Sequence, residues 1–323
     1  DFELNNKPQR KILKTLYKEH LGQDYFADRA QSLILAHEDY DKMKNHILSS
    51  DVCGIQPNGS IVSVGAAKEF FILMDEALGQ DYFQDYFKIA KSNRLYEKDK
   101  KRVLILSDFL ADLHSNKKRS DSLYQRKIRD TIGSGQSIMG VLDSYPKNKW
   151  LEESEIEALV QGAVSFWVKD RFKKKRLCHV HGDFHPGNIW WKSKDDFVIL
   201  DRARGQWGEA ADDIASILIN NIFVSLFFQN EFKGALKKLA DIFLNNYIQK
   251  TKDNNLMSVI QPYLAFRAVV VANPIFYSDD FYPKPKEANI KRKQMISFAL
   301  NVLSSDCFEL DQVNNYFKLK KAL

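Results

Sequence analysis

The sequence predicts an α+β protein in two parts, a small mixed portion over residues 1–77 and a large, mainly helical portion over residues 78–323. Three observations carry that reading. β-prone runs occur early and in one brief stretch near residue 180, helical periodicity dominates after Gly79, and no repeat or low-complexity tract interrupts the chain. With 323 residues, 44% hydrophobic and 12% aromatic, it can bury a large core, which excludes disorder as its main description.

The first part opens with a basic apolar run over residues 11–17, followed by a helical stretch over residues 25–48. A Gly/Pro/Asn break falls at residues 53–60. Residues 60–64 and 69–74, separated by Gly65-Ala66-Ala67-Lys68, predict the two strands of a hairpin. Beyond Gly79 the clearest helices are residues 103–114 and 151–172; in the second, Ile156, Leu159, Val160, Ala163, Phe166 and Trp167 share one face. Residues 177–201 form a strand-and-loop insertion, with β-prone runs at 177–181, 189–192 and 197–200 around a turn-rich segment at 183–188. From Ile214 the chain is again helical, broken at Asn273-Pro274 and over residues 278–285.

Lys and Arg number 48 against 42 Asp and Glu, a net charge of +6 spread over both signs, which favours anionic ligands without naming one. The 22 Phe and 13 Tyr fall mostly in apolar segments that read as core, so base stacking and a nucleic-acid partner are not expected. Cys53, Cys178 and Cys307 are too few and scattered for a disulfide framework, and no stretch approaches the ~20 apolar residues of a membrane span. A cytoplasmic protein without a membrane partner is expected. The chain starts at Asp1 in what reads as mid-domain sequence, so residues upstream of it are expected.

The most informative segment is Cys178-His-Val-His-Gly-Asp-Phe-His-Pro-Gly-Asn188, followed by Phe197-Val-Ile-Leu-Asp201. These spacings put Asp183 and Asn188 on one loop and Asp201 at the end of a nearby apolar strand. Phosphoryl transfer needs such a set: one carboxylate to orient the acceptor hydroxyl and take its proton, an amide and a second carboxylate to hold Mg²⁺ on the nucleotide phosphates. The pattern His-x-Asp-x-x-x-x-Asn, then an apolar strand ending in Asp, has the form of a kinase catalytic loop and its metal-binding Asp. A zinc site is not favoured, because His179 and His181 share one strand face while Cys178 points to the other.

His181-Gly182-Asp183 through Asn188, Leu200-Asp201-Arg202-Ala203-Arg204-Gly205 and Asp213-Ile214-Ala215 together resemble the aminoglycoside phosphotransferase and choline kinase-like family. Phe71 to Gly79 is similar to that family's last N-lobe strand and hinge, and residues 106–115 to its helix ending in a Leu-His pair. The matches run in family order from Ile72 to Ala215. The resemblance implies a protein-kinase-like two-lobed fold, with a nucleotide-binding N-terminal lobe over residues 1–77 and a helical C-terminal lobe over 78–323. It implies a catalytic loop at 181–188 and a metal-binding segment at 197–215.

It further implies ATP-dependent transfer to a hydroxyl of a small-molecule acceptor. Asp183 would be the base, Asn188 and Asp201 the Mg²⁺ ligands, and the main chain of Asp75, Glu76 and Ala77 would meet the adenine. His181 would brace the loop and Asp213 would bond its backbone. The phosphate-contacting Lys is expected at Lys14, with Glu38 or Asp28 as its acidic partner.

No glycine-rich loop precedes Lys14, which keeps a second reading open, a kinase-fold binding or regulatory module without turnover. Asp212 and Asp213 also suit a first helical turn on dipole grounds alone. His185 precedes Pro186-Gly187 in the turn and is a candidate for facing the substrate. Residues 173–176 read as a solvated connection, residues 264–271 as a core helix giving Arg267 no role, and Phe276, Tyr277, Phe281 and Tyr282 as a packed aromatic loop rather than an acceptor pocket.

Overall fold

The computed structural model describes residues 2–4, 7–9, 11–18, 22–70, 72–147, 150–202 and 204–318. The chain divides into two units, Asp1–Asp75 and Glu76–Leu323. In the first, β1 (Phe2–Leu4) pairs antiparallel with β2 (Lys7–Gln9), and α1 (Phe26–Asp39) follows. Asp28 caps α1 by accepting the Tyr25 N–H at 2.7 Å. The helix stops well short of residue 48, passing through a 3-10 turn at Tyr40–Lys42 to Asn45 in the left-handed region.

Strands β3 (Cys53–Ile55) and β4 (Ile61–Ser63) form an antiparallel hairpin in the register Cys53↔Ser63. The predicted hairpin is therefore displaced. The Pro57-Asn58-Gly59 segment read as a break is the hairpin turn itself, with Gly59 at φ +84° and its N–H on the Gln56 carbonyl at 2.8 Å. The run from Ile61 thus finds its partner on its N-terminal side. The described residues of 69–74 are irregular and exposed, and Phe71 lies outside them.

The second unit begins with β5 (Gln80–Asp81), α2 (Phe83–Ser92), α3 (Glu97–Ser115), α4 (Asp121–Gly133), α5 (Ile138–Asp143) and α6 (Glu153–Asp170). Asp99 accepts the Tyr96 N–H at 2.9 Å to start α3, and the Ser120 hydroxyl caps α4. On α6, Leu159, Ala163 and Phe166 of the predicted face are buried.

The insertion contains β6 (Leu177–His179), β7 (Ile189–Trp191) and β8 (Phe197–Ile199), and β9 (Trp207–Glu209) follows it. β7 joins β5 to β8 in a three-stranded antiparallel sheet, while β6 pairs with β9, a strand the sequence pattern did not reveal.

Helices α7 (Ala210–Gln229), α8 (Gly234–Thr251), α9 (Gln261–Ala272), α10 (Ala288–Leu303) and α11 (Val313–Tyr316) complete the unit. α7 is the axis of the core: every residue from Ala210 to Phe227 is buried, with α2, α8 and α9 packed around it. It is long and apolar enough to cross a membrane, which corrects the expectation that no stretch is, but 94% of its apolar window lies inside this unit. α9 packs on α10 and α3 on α8.

The basic connection before β6 is also less solvated than predicted. Lys173 and Lys174 pair near the surface with Asp170 and Asp121, whereas Arg176 is largely buried between Glu209 at 2.8 Å and Asp253 at 2.7 Å.

Candidate active site

The loop after β6 is held from beneath by the first turn of α7. Asp213, wholly buried, accepts the N–H of His181 through Oδ2 and of Gly182 through Oδ1, both at 2.7 Å. His114, at the end of α3, supports that carboxylate at 3.1 Å and is itself fixed by the Tyr247 hydroxyl at 2.8 Å. Gly182 turns at φ +87°, a conformation a side chain would strain, and a Cβ there would meet Arg204 at 3.3 Å. His181 accepts the Asp183 N–H on Nδ1 at 3.2 Å and donates from Nε2 to the Leu200 carbonyl at 2.9 Å. Both ring nitrogens are spent on bracing, which leaves none for proton transfer.

The β7–β8 hairpin brings the other two predicted residues to one end. Ile189 pairs with Ile199, and the Leu200 N–H continues the ladder to the Asn188 carbonyl at 2.9 Å. Asp201 is the next residue, exposed and at φ +56°, a left-handed conformation uncommon for a side-chain-bearing residue and found where function holds the backbone. The Asn188 amide donates to the Asp183 carbonyl at 3.0 Å, which leaves its Oδ1 as the unspent atom. Asp183 and Asp201 both line a cavity of about 750 Å³, together with His185, Arg204, Arg267 and Tyr277.

Arg267, expected to have no role beyond the core helix, dominates the electrostatics. From α9 its guanidinium bonds Asp183 Oδ1, the Gly182 carbonyl at 2.8 Å and Asp212 Oδ1 at 2.8 Å. Lys127 reaches the other oxygen of Asp212 at 2.5 Å. Asp212 is therefore far more than a helix-start acid. Burial pushes the Asp183 carboxyl up, but Arg267 and then Arg204 more than offset it, so it lies below its usual range. Asp212 is lowered further, with Lys127 and Arg267 overcoming its burial. Burial lowers His185, whose Nδ1 accepts the Gly187 N–H at 3.1 Å.

A lone Arg in the apolar run from Tyr263 to Val271 was the available signal for Arg267, since a cation in a buried helix requires an anionic partner. Its partners, 84 and 55 residues away, carry no local spacing.

The aromatic segment after α9 is a packed loop and a cavity wall at once. Phe281 stacks on Phe223 and Tyr282 is buried, while Phe276 and Tyr277 line the cavity.

In the first unit, Lys14 lies on irregular, exposed backbone rather than a strand; its Nζ is 3.3 Å from the Tyr40 hydroxyl, and it pairs with neither Glu38 nor Asp28. Asp75 ends the first unit, and Glu76 and Ala77 begin the second, all three on irregular backbone.

The donor set fits a magnesium ion. Among the described residues no hydrogen bond or ion pair engages the Asp201 carboxylate, and the Asn188 carbonyl oxygen is also unspent. Two hard oxygen ligands from the protein, the remainder from phosphate and water, is the usual magnesium arrangement. No group of three or more His, Cys, Asp or Glu side chains is placed to hold a metal among the described residues.

A comparison with curated proteins found no match. Among solved structures, a glucosamine kinase is similar at 12% identity over 73% of this chain and 60% of its own, with a TM-score of 0.43. The Plasmodium vivax ethanolamine kinase is 15% identical over 89% of this chain and 68% of its own, TM-score 0.36. The ADP-bound aminoglycoside phosphotransferase APH(2'')-Ib is 19% identical over 84% and 81%, TM-score 0.36. The chain spans 56–60% of the length of the glucosamine kinases it matches. The model of the phosphotransferase enzyme family, APH, matches residues 60–242, more than half of the chain, including the loop, the hairpin and the first turns of α7. By that match, with its small antiparallel sheets and large helical unit in the protein-kinase-like class, the chain belongs to the phosphotransferase enzyme family.

Proposed function

We propose that the chain transfers the γ-phosphoryl group of ATP to a hydroxyl of a small-molecule acceptor. The observation that carries this is the placement of the Asp183 and Asp201 carboxylates in the wall of one cavity, with Asn188 beside Asp201 on the hairpin ladder. Asp183 orients the acceptor hydroxyl and takes its proton. Its Oδ1 is held by Arg267, so Oδ2 is the oxygen that meets the hydroxyl. Asn188 Oδ1 and the Asp201 carboxylate hold Mg²⁺, which when bound supplies positive charge to the phosphate oxygens.

His181 and Asp213 keep the loop in register. The main chain of Glu76 and Ala77, at the start of the second unit, receives the adenine. A carboxylate lowered in basicity suits the task, because in a loose phosphoryl-transfer transition state the proton leaves late and orientation matters more than base strength. The free thiols of Cys53, Cys178 and Cys307 suit a reducing, cytoplasmic setting.

The Arg267 contact on Asp183 also favours a second reading, a nucleotide-binding module whose base is clamped and which does not turn over. One set of measurements separates them. The phosphotransferase reading expects ATP with Mg²⁺ to raise the melting temperature and ADP to form on addition of a hydroxyl-bearing acceptor. Asp183→Asn should retain ATP binding and lose transfer. Transfer persisting in that variant would remove Asp183 from the role of base. ATP binding without ADP formation across a broad acceptor panel would leave the module, and no thermal response to ATP would defeat both.

A further inference from the structure

The charges around the cavity do not cancel, and the residue left over is Arg204. Lys127, Asp212, Arg267 and Asp183 form a row of alternating sign in which each carboxylate bonds its neighbouring cations, so the row is neutral within itself. Asp201 is committed to the metal in the reading above. His185 accepts the Gly187 N–H on Nδ1 at 3.1 Å, which an imidazolium cannot do, so it adds no charge. Among the described residues that line the cavity, the remaining charge is Arg204.

Its side chain is 22% exposed and makes only long contacts, 3.4 Å to the Gly182 carbonyl and 3.7 Å to Asp183 Oδ2. A guanidinium carries five N–H donors, so most of its capacity is unspent. The group rests against the Phe266 ring, 5.3 Å from its centroid, a contact that holds the plane and leaves the donor edge open. Burial and the neighbouring Arg267 push its pKa below the usual range, an unfavourable state that an anion would relieve.

We propose that Arg204 binds an anionic group of the acceptor, so that the substrate is a small hydroxy acid whose carboxylate or phosphate docks on Arg204 while a nearby hydroxyl meets Asp183. The 3.7 Å between the Arg204 guanidinium and Asp183 Oδ2 puts anion and reacting hydroxyl on neighbouring carbons or nearly so. Of the two acidic side chains of the described cavity wall, Asp183 is bonded to Arg267 and Asp201 is assigned to the metal, so neither is left for a polycationic acceptor. This inference rests on the phosphotransferase reading and deepens it.

The test uses the full chain with ATP and Mg²⁺ and matched acceptors: glycerate, gluconate and glycerol 3-phosphate as acids, glycerol and glucose as neutral counterparts, ethanolamine and glucosamine as cations. Binding of each without nucleotide is read in parallel by calorimetry. The expected result is kcat/KM for an acid higher than for its neutral counterpart on the order of tenfold or more, as a charge-assisted bidentate contact provides. The two kinds of acid distinguish a carboxylate from a phosphate. Arg204→Gln should erase that ratio and the calorimetric binding of the acid, while Arg204→Lys, which keeps the charge but loses the fork, should keep part of both.

Preference for neutral or cationic acceptors would overturn the inference and leave the phosphotransferase reading standing. Absence of turnover with every acceptor would count against that reading, while Arg204-dependent acid binding would still support the anion site. Absence of acid binding by the folded wild-type chain would defeat the anion site itself.

Discussion

At residue scale, Arg267 keeps two carboxylates ionised in a place where burial opposes it. Replacing it with Met retains the length of the side chain and removes the cation shared by Asp183 and Asp212. Breaking a buried charge pair from one side costs about 3–5 kcal/mol, so Arg267→Met is expected to lower stability by that order in denaturant titrations at pH 7. The sign of the pH dependence follows from the carboxylates. Both have folded values below their ordinary ones, so the stability they contribute is present above the unfolded carboxylate range, near ~4, and is lost as pH falls through the lower folded values.

In Arg267→Met, burial prevails at Asp183, its carboxyl titrates higher, and protonation relieves the variant. The stability gap between wild type and variant should therefore narrow on acidification from pH 7 towards pH 4. A gap that stays constant over that range would mean that the charge of Arg267 is not what stabilises the loop. The grouping of Asp183, Asn188 and Asp201 was legible because they lie within one loop and the hairpin that follows it, where sequence spacing is short. Arg267 was not, because what gives it meaning arrives from the loop and from α7 only after folding.

At the scale of elements, the first turn of α7 and the end of α3 act as the seat of the loop. Asp213→Asn is nearly the same shape but has one acceptor oxygen in place of two, so one of the His181 and Gly182 N–H groups faces an amide donor. An unpaired buried donor costs about 1–3 kcal/mol. The expected result is a lower denaturation midpoint together with faster hydrogen exchange at residues 181 and 182. Loss of exchange protection spread evenly over α7 would instead indicate a general weakening of the helix.

The strongly periodic α6 was legible nearly to its ends, whereas α3 begins at Glu97, well before the expected start at Val103, in a charged stretch without apolar periodicity. The early hairpin was misplaced because Phe70-Phe71-Ile72-Leu73-Met74 is apolar without alternation, and apolar content alone does not say which strand it pairs with. Strand β9 was missed for a similar reason: its three residues, Trp207-Gly208-Glu209, take their conformation from β6 rather than from their own propensity.

At the scale of the whole molecule, burial is divided very unequally. In the second unit α7 and α9 are almost entirely buried, most of α10 is buried with them, and their neighbours supply a continuous core. In the first unit, Val52 is the one apolar side chain buried among the described residues, while Ile12, Leu13, Met43, Ile47 and Leu48 are exposed. Hydrophobic burial drives folding, and a piece that buries so little cannot offset the conformational entropy of ordering its chain. A fragment of residues 76–323 is therefore expected to melt in a single cooperative transition with strong helical far-UV dichroism, whereas a fragment of residues 1–75 should give no cooperative transition. A cooperative melt of the short fragment, or a gradual one of the long fragment, would contradict this division. The long fragment retains Asp183, Asn188, Asp201 and Arg204, so acid binding should survive in it; loss of that binding in the folded fragment would show that the anion site needs residues outside 76–323.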